Sequence, residues 1–319
     1  MKAAVLHEPG GVPRYEDFPD PMPGEGDVVI EVKAVAVENV DRAVTAGTHY
    51  AAGRFLTEFP MIPGFDGIGT LPDGSLVGFG GMRPPYGALA EKVVVPRGSW
   101  APIPEGIDPA VAAVQSSAIV GMSVQTAGGL TAGETVLVQG ATGVAGRLAV
   151  QIARLLGAGR IVATGRDDAQ LEEVRALGAD VVLNTAVPDE ELVRAFTDAR
   201  GDGYDVVIDF LWGRPTELLL RSLVPDSFAF ARPTRLVQVG ESAGSELTIP
   251  ASALRTSGVE LYGAARSLNA ESMARAYQQV VEWTRSGELV FSVERVPLAE
   301  IEAAWQRTDL KGRRLVVVP

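Results

Sequence analysis

The chain has 319 residues, enough for two domains with sizeable cores, and its 46% hydrophobic and 21% charged content is that of an ordinary globular protein. A formal net charge of −12 argues against nucleic acid or an anionic membrane as the main partner. There is no cysteine, so disulfides, thiolate zinc sites and cysteine nucleophiles are excluded, and the two histidines, His7 and His49, leave little for a histidine metal cluster.

The first stretch, Met1-Lys-Ala-Ala-Val-Leu-His7, is no long apolar leader, and no window offers about 18 uninterrupted apolar residues. A cytosolic location is the expectation. Residues 1–117 read as mostly β. Ala3–Leu6, Val28–Val37 and Lys92–Val95 are Val-rich runs separated by turn clusters such as Asp20-Pro-Met-Pro-Gly-Glu-Gly26, Pro72-Asp-Gly74 and Arg83-Pro-Pro85. Short strands with this punctuation suggest a small barrel or sandwich. Near Pro109 the composition shifts to Ala, Ser and Val, and helices are predicted over Asp108–Ser117 and Ile119–Ala127.

From Thr135 strands and helices alternate. Strands are predicted at Thr135–Gln139, Ile161–Thr164, Asp180–Leu183, Asp205–Asp209 and Arg235–Val239. Helices are predicted at Arg147–Leu156, Ala169–Leu177, Glu190–Ala199 and Arg214–Leu223. This alternation argues for a doubly wound parallel sheet, which binds ligands at the carboxyl ends of its strands. A further strand, Val259–Gly263, and a helix, Ala270–Ser286, precede a mixed tail of Val293–Val296, Ala299–Arg307 and Leu315–Val318.

The stretch Thr135-Val-Leu-Val-Gln-Gly-Ala-Thr-Gly-Val-Ala-Gly146 has the form strand, glycine turn, helix. Its spacing is Gly-x-x-Gly-x-x-Gly rather than Gly-x-Gly-x-x-Gly, a weaker sign taken alone. In this context the glycines let the chain turn, let backbone N–H groups approach a pyrophosphate and let the helix lie close on the strand. Gly140, Thr142, Gly143, Val144 and Gly146 are the candidate residues around that pyrophosphate. An NAD site typically carries an acid at the tip of the second strand. Here the strand ends Val162-Ala163-Thr164-Gly165 and Arg166 follows, so Thr164, Gly165 and Arg166 are expected around an adenosine phosphate and the cofactor is read as NADPH. The competing reading is that Asp167 reaches the ribose and selects NADH. Asp167 or Asp168 could also do no more than cap the next helix.

Several segments resemble the medium-chain dehydrogenase/reductase superfamily in its zinc-independent, quinone oxidoreductase-like branch. They are Met1-Lys-Ala-Ala-Val-Leu-His-Glu-Pro-Gly-Gly11, Asn39-Val-Asp41 with Gly47 beyond it, Pro63-Gly-Phe-Asp-Gly-Ile-Gly69, Gly87-Ala-Leu-Ala-Glu-Lys-Val-Val-Val-Pro96, the glycine turn, Leu177-Gly-Ala-Asp180 and Lys311-Gly-Arg. The order and spacing of these segments along nearly the whole chain carry the resemblance. It implies an α/β protein with a GroES-like β-rich catalytic domain formed by residues 1–117 and 266–319. A Rossmann nucleotide-binding domain at 118–265, with a doubly wound parallel sheet, lies between them in sequence, and the active site falls in the cleft. Zinc-dependent relatives place Cys, His and Cys where this chain has Glu38, Phe65 and Ser116, so metal-free chemistry is implied. Without a Lewis acid, charge must be stabilised by hydrogen-bond donors or spread over a conjugated product.

The resemblance implies hydride transfer to a quinone or an α,β-unsaturated carbonyl. Reduction of simple ketones or aldehydes is an alternative, as is an NADPH-binding protein with little turnover. Tyr50 and Asn39 are the candidate catalytic groups, Tyr50 as a proton or hydrogen-bond donor and Asn39 to position substrate or nicotinamide. Each has a plain structural alternative, an aromatic that packs and an asparagine that stabilises a turn. Asp41 reads rather as a local structural residue. Tyr86, Phe65, Phe55 and Trp212 are candidates for the walls around a flat substrate. Gly240 and Glu241 are expected on the nicotinamide side, and Lys311 or Arg313 over the cofactor. Val259-Glu-Leu-Tyr-Gly263 resembles the strand by which relatives pair across a dimer, so a homodimer is expected.

Overall fold

A computed structural model describes residues 1–225 and 232–319. The chain divides into two compact units, Met1–Gln115 with Phe291–Pro319, and Ser116–Val290. The first opens with strands β1 (Lys2–Val5), β2 (Arg14–Asp17) and β3 (Asp27–Ala36), then helices α1 (Asn39–Thr45) and α2 (Ala52–Phe55). Strands β4 (Asp66–Thr70), β5 (Leu76–Gly80), β6 (Lys92–Pro96) and β7 (Trp100–Pro102) follow, then the short helix α3 (Pro109–Ala112), and the chain passes into the second unit through α4 (Gln115–Gly121) and α5 (Ser123–Thr126).

The second unit continues as β8 (Thr135–Gln139), α6 (Val144–Leu155), β9 (Arg160–Gly165), α7 (Asp168–Ala176), β10 (Val181–Asn184) and α8 (Asp189–Ala199). Then come β11 (Val206–Asp209), α9 (Gly213–Ser222), β12 (Thr234–Gln238), α10 (Ala251–Thr256), β13 (Val259–Gly263) and α11 (Ala270–Ser286). The chain ends with β14 (Val293–Pro297), α12 (Ile301–Trp305) and β15 (Arg314–Val318).

In the second unit six parallel strands lie in the order β10-β9-β8-β11-β12-β13, the doubly wound Rossmann order. Side-chain alternation along each strand builds two cores. Val136, Val138, Ile161, Ala163, Val206 and Ile208 pack on one face with Ala149, Val150 and Ala153 of α6. Leu137, Val162 and Val207 face the other way onto Leu192 and Phe196 of α8 and Leu219 of α9. Strands buried on both faces must be apolar throughout, which is why these runs lack a polar face. The sheet reverses direction of winding between β8 and β11, so a crevice opens at their carboxyl ends.

In the first unit the long strand β3 changes partners along its length. Asp27–Glu31 pairs antiparallel with β6, Glu31–Ala34 with β4, and Val35 and Ala36 with β15. One strand feeding three neighbours curls the sheet around a single core that includes Ile30, Val32, Val93, Val95, Leu315 and Val317. The parallel pair β14–β15 is joined through α12 and completes this unit.

Two departures from the sequence reading stand out. Residues 108–127 form three short helices rather than two longer ones. The second unit keeps α11 and runs to Val290, where the sequence reading returned the chain to the first unit at residue 266. Gln151 of α6 explains the later boundary: its amide donates to the Val290 carbonyl at 3.1 Å and its oxygen accepts the Val290 N–H at 3.0 Å.

Candidate active site

The glycine turn sits at the carboxyl end of β8 beside the crevice. Gly140 has φ +79°, a left-handed conformation that disfavours side chains, and a Cβ there would also lie 2.9 Å from Leu211 Cδ2. A Cβ on Gly146 would fall 2.3 Å from the Gly140 carbonyl oxygen, so only glycine lets α6 start against the turn. Gly143, by contrast, is exposed, and the nearest atom to a Cβ there is the Gly140 oxygen at 3.5 Å. Gly143 is the N-cap of the twelve-residue α6 and has no side chain to occupy the first N–H groups. Those donors and the positive end of the helix dipole are open to an anion. This cradle fits a dinucleotide pyrophosphate.

Thr164 is fully buried beneath the turn. Its hydroxyl accepts the Gly140 N–H at 3.1 Å and its carbonyl accepts the Ala141 N–H at 2.8 Å. Gly165 is also buried, and a Cβ on it would meet Thr142 Cγ2 at 2.4 Å. Both residues therefore support the turn from below. Arg166 is exposed at the tip of β9 and makes no ion pair among the described residues. Asp167 caps α7, accepting the Gln170 N–H at 3.1 Å, and Asp168 accepts from Asn184 Nδ2 at 2.7 Å.

A buried polar network that the sequence reading missed ties β8 to β11. Asp209, fully buried, accepts the N–H groups of Leu211 and Trp212 at 2.9 and 3.1 Å and the Thr216 hydroxyl at 2.5 Å. Gln139 Nε2 donates to Thr216 Oγ1 at 3.2 Å. Burial pushes the Asp209 carboxyl up, against the pull of its hydrogen bonds. The network holds the loop after β11, with Trp212 at φ 57°, beside the turn. Gly240 lies beyond β12, its N–H donating to the Asp209 carbonyl at 3.1 Å, and Glu241 next to it is exposed.

The first unit holds a pocket lined by Phe55, Phe65, Tyr86, Met61, Met82 and Asp41, among others. The Phe55 and Phe65 rings meet edge to face with centroids 4.5 Å apart, a contact worth roughly 0.5–1.5 kcal/mol beyond area burial. Three of the four aromatic residues proposed as substrate walls are thus brought together here. Trp212 belongs to the second unit.

Asp41 is the pocket's buried carboxyl, 5% exposed. It stands at the third position of α1 and accepts the Glu38 N–H at 2.7 Å, which fixes the helix start. Burial, together with the nearby Glu38 and Asp66 charges, pushes it up to about 7 despite that hydrogen bond and the Arg314 charge. Asp66 moves the same way, though it is open to water on one side.

The two catalytic candidates from the sequence are not brought to this pocket. Tyr50 is 96% exposed and stacks on His49 with ring centroids 4.3 Å apart. Asn39 is exposed on the first turn of α1. Lys311 is exposed in a turn with φ 45°, and Arg313 pairs with Glu294. Among the described residues no three His, Asp or Glu side chains converge as metal ligands, and no helix is long and apolar enough to cross a membrane.

A GroES-like β-rich unit and a Rossmann unit with an open phosphate cradle define a two-unit α/β oxidoreductase class. The zinc-binding dehydrogenase family matches residues 145–286, a segment within the second unit that contains none of Glu38, Phe65 and Ser116. The crystal structure of the quinone oxidoreductase from Thermus thermophilus, also solved in complex with NADPH, is 30% identical over all of both chains with a TM-score of 0.79. The probable NADPH-dependent quinone reductase tdiC of Emericella nidulans is 27% identical over 351 residues, covering 96% of each chain. The probable acrylyl-CoA reductase AcuI of Escherichia coli is 30% identical over 202 residues, covering 57% of this chain and 60% of its own. The chain belongs to the zinc-independent medium-chain dehydrogenase/reductase superfamily, in its quinone oxidoreductase-like branch.

Proposed function

We propose that this protein is an NADPH-dependent reductase that delivers hydride to a neutral quinone or α,β-unsaturated carbonyl. One observation carries the choice of cofactor. Arg166 stands exposed at the tip of β9, without an ion pair among the described residues, while Asp167, the acid that would select NADH, is engaged as the cap of α7. The relatives named for NADPH support the same reading.

Bound NADPH would supply the hydride. The chain's own part begins with the N–H groups at the start of α6, which would hold the pyrophosphate, and with Arg166, which would take the 2′-phosphate. In the first unit Phe55, Phe65 and Tyr86 offer apolar walls to a flat conjugated ring. Asp41 would take the role the sequence reading gave to Tyr50. Its buried carboxyl carries a proton near neutral pH and could donate to the oxygen that gains charge. The Glu38 and Asp66 charges beside Asp41 disfavour an anionic substrate, so a neutral ring fits better than a coenzyme A thioester. A homodimer joined along β13, the edge strand bonded only to β12 among the described residues, belongs to the same proposal.

The test is NADPH oxidation by purified protein with benzoquinones, naphthoquinones, neutral enones and acryloyl-CoA. Turnover with neutral acceptors and little with the thioester supports the proposal. Tight NADPH binding without turnover on the whole panel would replace it with a binding role.

A further inference from the structure

Arg147 is an unusual residue to find one turn inside α6. It is 7% exposed, and its guanidinium is only partly satisfied. Nε donates to the Thr142 carbonyl at 3.1 Å, Nη1 pairs with Glu173 Oε2 of α7 at 2.7 Å, and Nη2 is buried with no acceptor among the described residues. Burying a cation with a donor unmade is costly, and a chain that needed only packing there would be served by an aliphatic residue.

What the guanidinium does hold is the turn. Thr142 directly precedes the open Gly143, two residues after Gly140. On one side its methyl lies where a Cβ on Gly165 would be, 2.4 Å away; on the other its carbonyl is held by Arg147. Glu173 in turn holds Arg147 from the helix that begins just after Arg166 and Asp167. The Thr142–Gly143 peptide, whose N–H donates to the Gly140 carbonyl at 3.2 Å and which leads directly into the open Val144 N–H, is therefore clamped from α6 and α7 together.

We propose that Arg147 is a positioning residue for dinucleotide binding, acting through the Thr142 carbonyl and itself oriented by Glu173. This rests on the glycine turn being the pyrophosphate cradle. Because the clamp acts on the part of the ligand that NADPH and NADH share, its loss weakens both alike. Arg166, at the part that differs, sets the preference between them.

The experiment is fluorescence titration of NADPH and NADH into the full chain and the variants R147M, R147K, E173Q and R166A, with thermal unfolding of each. R147M is expected to weaken both dinucleotides by the same factor, about tenfold or more, leaving their ratio unchanged. R147K, which keeps one donor, recovers part of that loss. E173Q, at a carboxylate mostly in solvent, gives a smaller loss of the same kind without a large change in Tm, which keeps the test open if R147M folds poorly. Unchanged affinity in R147M and E173Q overturns the inference. So does a loss confined to NADPH, which would mean direct contact with the 2′-phosphate, or R147K no better than R147M, which would mean packing alone. If the parent chain binds neither dinucleotide, the cradle reading fails and this inference with it. A parent that binds while R147M and E173Q are unaffected sinks the clamp alone.

Discussion

The Gly140 N–H donates to the buried hydroxyl of Thr164 at 3.1 Å, joining the turn after β8 to the last residues of β9. Thr164→Val would keep the shape and leave that half-buried N–H without its acceptor. A loss of about 1–3 kcal/mol is expected in urea unfolding, with weaker binding of both dinucleotides. Unchanged stability would mean that the turn finds another acceptor.

Arg166→Ala removes an exposed cation that has no ion-pair partner to strand among the described residues. Stability should not move. NADPH affinity should fall about ten- to a hundredfold while NADH affinity stays, as loss of a charge-assisted phosphate contact requires. Parallel fluorescence titrations decide it, and an NADH preference in the parent chain would return attention to Asp167.

Gly146→Val places carbon within 2.3 Å of the Gly140 carbonyl oxygen, and α6 would have to move off the turn. The expected cost is at least about 1–3 kcal/mol, with dinucleotide binding lost. Gly143→Ala meets only the Gly140 oxygen, at an ordinary contact distance of 3.5 Å, and should unfold like the parent, so comparing their denaturation midpoints separates close packing from general loss of glycine.

Asp41 predicts a pH dependence. Its folded pKa of about 7 lies above the unfolded value of 3.8, so between those limits the folded state holds more protons than the unfolded state. Its contribution is fully present below about pH 3.8 and is lost as pH rises through 7; Asp66 acts in the same direction. Asp41→Asn, which can still accept the Glu38 N–H, should gain stability relative to the parent from pH 5 to pH 8. In the proposed reaction it should also flatten the fall of kcat above pH 7. A parent-minus-variant stability difference that does not change with pH would rule out the shift.

The edge of β13 predicts self-association. Sedimentation velocity should give twice the 33.5 kDa of the chain. Leu261→Lys, a charge on a half-buried edge position, should shift the boundary towards monomer. A monomeric parent at micromolar concentration would remove the dimer from the proposal.

Much of the second unit was legible because its signals are local. An apolar run that alternates onto two covered faces, a glycine turn and a capped helix are all read within a dozen residues, and β13 and α11 have the predicted bounds. The first unit was harder. Strands β4 and β5 are rich in glycine, which ordinarily argues against a strand. The glycines of β4 are there because neighbours come close: a Cβ on Gly69 would lie 2.4 Å from Ile30 Cγ2, and one on Gly67 would lie 2.8 Å from Phe79 Cζ. That reason is invisible until the sheet has curled.

By itself the sequence determined the two-unit class, the parallel sheet, the glycine turn between β8 and α6 and the absence of any thiolate chemistry. Only the tertiary structure decided which side chains pack against that turn and which stand clear of it. It buried Thr164 beneath Gly140 across 24 residues of chain, clamped Thr142 with a cation held from α7, exposed Tyr50, and gathered Phe55, Phe65 and Tyr86 around Asp41. The physical reason is the same each time. Periodicity and turn chemistry depend on near neighbours, whereas burial, pKa and the fate of a polar group depend on atoms that folding brings from far along the chain.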